Sequence, residues 1–303
     1  MPAKKYIQKF RTLDNSIPEI KRYLGRGMDV LDVGCGRGEI SCGVAEYVDP
    51  GKTTGLDPDP DCIADAIEAA TSEEDGMNVD FLVGDSHELP FEDNSFEIVY
   101  SYTVLHFLID PILALKEQKR VVKPGGWVIA IGVRDPLSIV RFSHCPNWEK
   151  AWIALSNYYE EVRNRYRSSK AKPSRFMEEE RKKIDSFMMT YTNWNTGRKC
   201  AGWFKQIGLR NLEICVTSDN VIFHDSFRFK PGSWDLLPRV NPEDKDYDES
   251  AIQKPLDDLY AKMVESGELE QKVLDDAVKE VVAWYKNPEA FSFFPIFFAA
   301  GQK

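Results

Sequence analysis

Three carboxylates and a glycine-rich turn stand at intervals suited to holding one organic ligand. The turn, Asp32-Val33-Gly34-Cys35-Gly36-Arg37-Gly38, has glycine at every second position from Gly34. Without Cβ atoms, backbone amides can approach a ligand closely at a helix N-terminus. The turn alone is ambiguous, because similar turns serve dinucleotides or nothing. Asp32, inside the apolar run before the first glycine, can order the loop or accept from the ammonium of a zwitterionic ligand. A pyrophosphate would find that charge repulsive. Asp57 lies about twenty residues on, where a carboxylate can accept both hydroxyls of a ribose; starting a turn before Pro58 is its ordinary alternative. Asp85, in Gly84-Asp85-Ser86-His87, is placed to accept from an adenine amine or to serve as a plain loop aspartate.

These residues need a scaffold that brings strand ends together. Apolar runs at 28–33, 52–57, 79–83, 96–101 and 127–133 read as strands. Helical spacing at 40–47, 61–71 and 111–122 falls between them. Strands alternating with helices imply βαβ units and a parallel sheet whose ligand site lies at one edge. After Asp135 the pattern breaks. Residues 136–194 are helical, aromatic and charged, with no strand signal. A further helix is expected over 197–208, a sixth strand over 212–217, an irregular insertion over 219–287 with a helical pair at 252–265 and 268–285, and a last strand over 291–300.

The chain resembles the class I S-adenosylmethionine methyltransferases of the UbiE-like small-molecule type. The matching residues are VLDVGCGRGEIS (Val30 to Ser41), GLDPDPDCI (Gly55 to Ile63), VGDSHELPFEDNSFEIVYS (Val83 to Ser101), TVLHFLIDP (Thr103 to Pro111) and VVKPGGWVIA (Val121 to Ala130). The likeness is strong over 28–135 and continues weakly at 196–214 and 283–303. It implies an α/β fold: a Rossmann-like, doubly wound, seven-stranded sheet with a final antiparallel strand and helical lid insertions. It implies S-adenosyl-L-methionine as cofactor, with Asp32, Gly34, Cys35 and Gly36 around the methionine end. Asp57 would hold the ribose, Pro58 would lie beside the adenine, and Asp85 and Ser86 would read the adenine edge. Tyr100, Ser101 and Tyr102 would end the fourth strand near the methyl group. Arg37 stands where the family often has a small residue or proline, a departure that a loop tolerates.

A single methyltransferase domain over 1–303 follows as the expectation. Its parts are an N-terminal lid segment (1–27, with Tyr6 and Phe10), a cofactor core (28–135), a helical substrate insertion (136–195), the rest of the sheet (196–218 and 291–303) and a second insertion (219–290). Methyl transfer is an in-line displacement in which the protein supplies alignment and a dry pocket. Orientation can be worth about 7–11 kcal/mol, whereas a positioned base adds only about 10²–10⁴-fold, so the lack of an obvious base does not count against activity. His106 and Tyr102, close to the expected methyl position, are the candidate catalytic residues; packing or capping is the alternative for His106. His144 and His224 lie in the insertions, and His87 is expected to serve the backbone of its loop. Trp148, Trp152 and Trp194 are the candidate acceptor contacts. Trp148, Trp152, Leu155 and Tyr159 also recur at the spacing of a helix core stripe, and a lid helix needs such a face while it lines a pocket.

Charge and composition narrow the partners. With 39 basic and 49 acidic residues the formal charge is −10, so phosphate backbones are repelled and nucleic acid is not expected. The basic run from Arg163 to Lys172 reads as a solvated helix end. Six scattered cysteines without a CxxC pair suggest neither zinc nor disulfides. The polar start of the chain lacks a signal-peptide pattern, and 291–301 is too short and proline-broken to span a bilayer. A cytoplasmic protein acting on a small, hydrophobic or aromatic acceptor is expected. The competing readings are a cyclisation that uses bound S-adenosylmethionine without methylating, and a non-catalytic subunit, which the intact glycine turn disfavours. A nicotinamide enzyme is disfavoured by Asp32 and by the Lys123-Pro124-Gly125-Gly126 turn.

Overall fold

Residues of alternating parity in the strands go to opposite faces of one sheet, and both faces are apolar. Val30, Ile98, Tyr100, Ile129 and Ile131 pack on one side, and Leu31, Val33, Val99, Val128 and Ala130 on the other. Period-two alternation with two buried faces is what a covered parallel sheet requires. In this computed structural model the described residues are 12–71, 77–134, 140–141, 145–183, 196–223, 260–261, 263–286 and 291–303.

The strands are β1 (Val30–Val33), β2 (Thr53–Asp57), β3 (Val79–Val83), β4 (Phe96–Tyr102), β5 (Val122–Arg134), β6 (Val140–Arg141), β7 (Arg210–Phe223) and β8 (Phe291–Gln302). β3, β2, β1, β4 and β5 are parallel neighbours in that order, and β8 runs antiparallel between β5 and β7. The expected strand at 291–300 is therefore present and antiparallel. Two expectations fail: β7 runs on to Phe223, into the stretch read as an irregular insertion, and the two-residue β6 lies in the stretch read as having no strand. It pairs with Phe293 and Ser292, which β7 also pairs. Since β7 holds one edge of β8, β6 prolongs the β5 side. The Lys123-Pro124-Gly125-Gly126 segment is a break in register inside β5, where Phe96 pairs with Val122 and Ile98 with Trp127.

Helices α1 (Glu39–Val48), α2 (Pro60–Thr71) and α3 (Pro111–Val121) connect the parallel strands, and α6 (Thr196–Gln206) precedes β7. Two segments far apart in sequence then build a third layer. In α4 (Pro146–Ser168) the buried residues Trp148, Ala151, Trp152, Leu155, Tyr159 and Val162 form a stripe of three- and four-residue steps. They pack with Phe176 of α5 (Pro173–Lys183), with Tyr260 and Met263, and with Ala277 of α7 (Gln271–Lys286). Glu280 of α7 caps α4 directly. Its Oε2 accepts from the amides of Asn147 (2.9 Å) and Trp148 (3.0 Å), and its Oε1 from Asn147 Nδ2 (2.7 Å). A carboxylate at a helix N-terminus meets both unpaired amides and the positive end of the helix dipole. No helix among the described residues is long and apolar enough to cross a membrane.

Candidate functional site

Register places the site. Asp32 pairs with Tyr100 across β1 and β4, so both side chains leave the sheet on the face covered by α1, where Ser41 is buried. Asp32 Oδ2 accepts from Ser41 Oγ (2.6 Å) and from Tyr100 Oη (2.7 Å), and the residue is 3% exposed. Burial pushes its carboxyl up to about 6, against the two hydrogen bonds that lower it. These bonds tie β1 to β4 and to α1, and neither partner belongs to the glycine turn. Ser41 and Tyr100 are the partners that sequence reading missed, although their positions on α1 and on alternating β4 could have disclosed them.

The glycine turn closes on its own neighbours. The Gly34 and Cys35 amides both donate to Leu56 O (2.7 and 3.1 Å), and the Gly36 amide donates to Asp57 Oδ2 (2.9 Å). Gly34 has φ +82°, and a Cβ there would lie 2.4 Å from Val104 Cγ2. This close approach locks the loop after β1 against the loop after β4. Arg37 reaches α2 in an ion pair with Asp65. With these amides spent internally, the turn is poorly made for a pyrophosphate, which needs them pointing outward.

Asp57 is half-buried at the end of β2. Besides Gly36, its Oδ1 accepts from the Asp59 amide (3.0 Å). A carboxylate can accept about four hydrogen bonds, so two ribose hydroxyls are compatible with these contacts. Pro58 beside it is exposed. Asp85 follows β3. Its Oδ1 accepts from the His87 amide (2.9 Å) and sits 2.7 Å from His87 Nδ1. Burial raises its carboxyl, but the His87 contacts and a hydrogen bond with Ser174 of α5 together hold it at about 2. His87 therefore serves the Asp85 side chain, a correction to its expected role toward the backbone. Ser86 is buried.

The end of β4 is tightly built. Ser101 is 1% exposed, and its Oγ has no partner among the described residues. Tyr102 is half-buried, and Thr103 holds φ +58°, an uncommon conformation for a β-branched residue. Such strain costs about 1–3 kcal/mol and clusters at functional sites. His106 lies in the following 3-10 turn, Leu105–Phe107, entirely buried, its ring centroid 4.3 Å from that of Phe107.

The candidate acceptor contacts fare differently. Trp148 and Trp152 are 2% and 4% exposed inside the core of the helical layer. Both indoles pack in the apolar stripe of α4 that the helical spacing announced. Trp194, His144, His224, Tyr6 and Phe10 lie outside the described residues. The layer meets the strand-end edge of the sheet through Ile109 and Phe107 after β4, through Ser174 on Asp85, and through an ion pair between Lys172 and Glu88. Among the described residues no group of three or more His, Cys, Asp and Glu is arranged to hold a metal.

Comparison with known proteins addresses the same region. Residues 31–130 match a family described as a methyltransferase domain. An uncharacterised methyltransferase of Schizosaccharomyces pombe is 40% identical over 124 residues, covering 39% of this chain and 45% of that protein. A demethylmenaquinone methyltransferase of Staphylococcus aureus is 39% identical over 112 residues, covering 37% of this chain and 45% of that protein. The match thus spans less than half the length of either relative. The crystal structure of the YcgJ protein from Bacillus subtilis superposes with a TM-score of 0.51 at 15% identity, covering 94% of this chain and 97% of that one. That likeness is one of fold.

Proposed function

We propose, from the premise that residues 31–130 are a class I, S-adenosylmethionine-dependent methyltransferase domain, that this chain methylates a small hydrophobic or aromatic acceptor. The observation that carries the reading is the state of the glycine turn. Its amides are bonded internally and a buried carboxylate lies beneath it, while Asp57 and Asp85 stand at the next two strand ends. That set suits a ligand with a ribose and an adenine but no phosphate at the turn. The unpartnered Ser101 Oγ supplies a further polar contact at the β4 end.

Bound S-adenosylmethionine supplies a sulfonium methyl group open to in-line displacement. In this reading Asp57 accepts from the ribose hydroxyls, with Pro58 against the adenine. Ser86 and Asp85 read the adenine edge, with His87 fixing the Asp85 carboxylate. Gly34, Cys35 and Gly36 frame the methionine end, shaped by the buried Asp32. Tyr102 is the side chain at the strand end that meets the acceptor. His106, entirely buried in the following turn, is a positioning residue or a base reached only by a seated acceptor. The helical layer excludes water, and the acceptor occupies its border with the β4 end.

Isothermal titration with S-adenosylmethionine, S-adenosylhomocysteine and NAD tests the cofactor. Micromolar binding of both adenosyl ligands and none of NAD is expected; absence of adenosyl binding to folded protein overturns the reading. Incubation with methyl-labelled cofactor and an acceptor panel then separates methylation from a cyclisation that leaves the label on the cofactor.

A further inference from the structure

The helical layer encloses a hydroxyl that no described residue bonds. Tyr260 is 3% exposed, and its Oη is buried without a hydrogen-bond partner among the described residues. It shares one apolar cluster with Trp148, Trp152, Tyr159, Phe176 and Met263, and Ile109 on the loop after β4 belongs to the same cluster. One packed apolar cluster therefore runs from the loop beside the β4 end to Tyr260.

Packing accounts for the ring but not for the hydroxyl. A buried hydroxyl that has lost water and gained no bond is a net cost to folding, which phenylalanine in the same place would avoid. Burial holds the phenol well above its ordinary pKa, so it stays a protonated donor at any physiological pH. The chemistry that satisfies it is a lone pair arriving with an apolar molecule. A donor of this kind discriminates strongly, because an analogue lacking the matching atom leaves it unpaired, whereas apolar walls discriminate weakly.

We propose that Tyr260 is a specificity-determining residue that donates a hydrogen bond to an oxygen of the acceptor, an apolar aromatic molecule carrying a phenolic or carbonyl oxygen. This deepens the function proposed above and rests on it. The sequence reading passed over Tyr260 because it lies in the second insertion, away from every motif.

The test uses the full chain saturated with S-adenosylhomocysteine and two probes of matched shape, 1-naphthol and 1-methylnaphthalene. Dissociation constants are measured by ligand-observed NMR for the wild type and for Tyr260→Phe, which keeps the ring. The preference of the wild type for the naphthol is expected to fall by about five- to tenfold in the variant, the scale of one lost hydrogen bond. Binding of methylnaphthalene should be unchanged and the melting temperature equal or higher. An equal preference in both proteins, or naphthol binding to neither while S-adenosylhomocysteine binds, overturns the proposal. Failure of S-adenosylhomocysteine itself to bind overturns the cofactor reading, and this one with it.

Discussion

The cofactor core and the helical layer place their carboxylates in different ways. In the core each carboxylate at a strand end is met by its own turn or by a neighbouring strand or loop. Asp32 is met by Ser41 and Tyr100, Asp57 by the Gly36 and Asp59 amides, and Asp85 by His87. In the layer the stripe along α4 is apolar, and the joining polar contact, Glu280 on the α4 N-terminus, spans 133 residues of sequence. A loop built from local register can hold charges in fixed positions. A layer joined by distant segments offers apolar volume and few fixed charges. In the proposed function, cofactor recognition belongs to the first region and acceptor selection to the second.

Breaking the core where it is tightest should have the largest effect. Gly34→Ala places a Cβ against Val104 at positive φ. Strain and overpacking together should cost about 2–5 kcal/mol, read by denaturant unfolding, with cofactor affinity falling as well. A variant as stable as wild type would show that the two loops are not locked together.

Asp32 makes the core sensitive to pH. Its folded pKa, about 6, lies above its ordinary value of 3.8. Its contribution to stability is thus fully present below pH 3.8 and is lost as pH rises through about 6. Within that window the slope approaches about 1.4 kcal/mol per pH unit. Asp85, held at about 2, acts in the opposite sense: its stabilisation is present above pH 3.8 and is lost as pH falls through about 2. Melting temperatures of wild type and Asp32→Asn should converge above pH 7 relative to their separation at pH 4.5, where the wild type gains. A constant difference across that range would show that Asp32 does not titrate there.

Asp57→Ala should weaken cofactor binding at least tenfold by isothermal titration, through the lost ribose hydrogen bonds. An unchanged dissociation constant in folded protein would remove that residue from the site. The smallest effect sharpens the contrast between the regions. Glu280→Ala should loosen α4 by about 1 kcal/mol, seen as faster amide exchange in α4, with cofactor affinity within twofold of wild type. A large loss of cofactor affinity would show that the layer and the core act as one unit.

Order along the chain was enough to disclose the parallel sheet, a last strand, the glycine turn and the carboxylates at three successive strand ends, while the antiparallel sense of that strand was implied by the family resemblance. Period-two alternation and glycine spacing are local properties, and a strand end carries its residue to the site whatever lies above it. What those carboxylates touch was less legible. Asp32 and Tyr100 are 68 residues apart and meet only because β1 and β4 are neighbours in register. The tryptophans of α4 were ambiguous for the same reason: a helical stripe announces that it will be covered but not by what. Only the tertiary structure decided that Trp148 and Trp152 pack inside a layer shared with α7, and that Tyr260 brings a hydroxyl into it. Contacts between segments so far apart depend on which apolar faces find one another in three dimensions, and the spacing of residues along one segment carries no record of its partner.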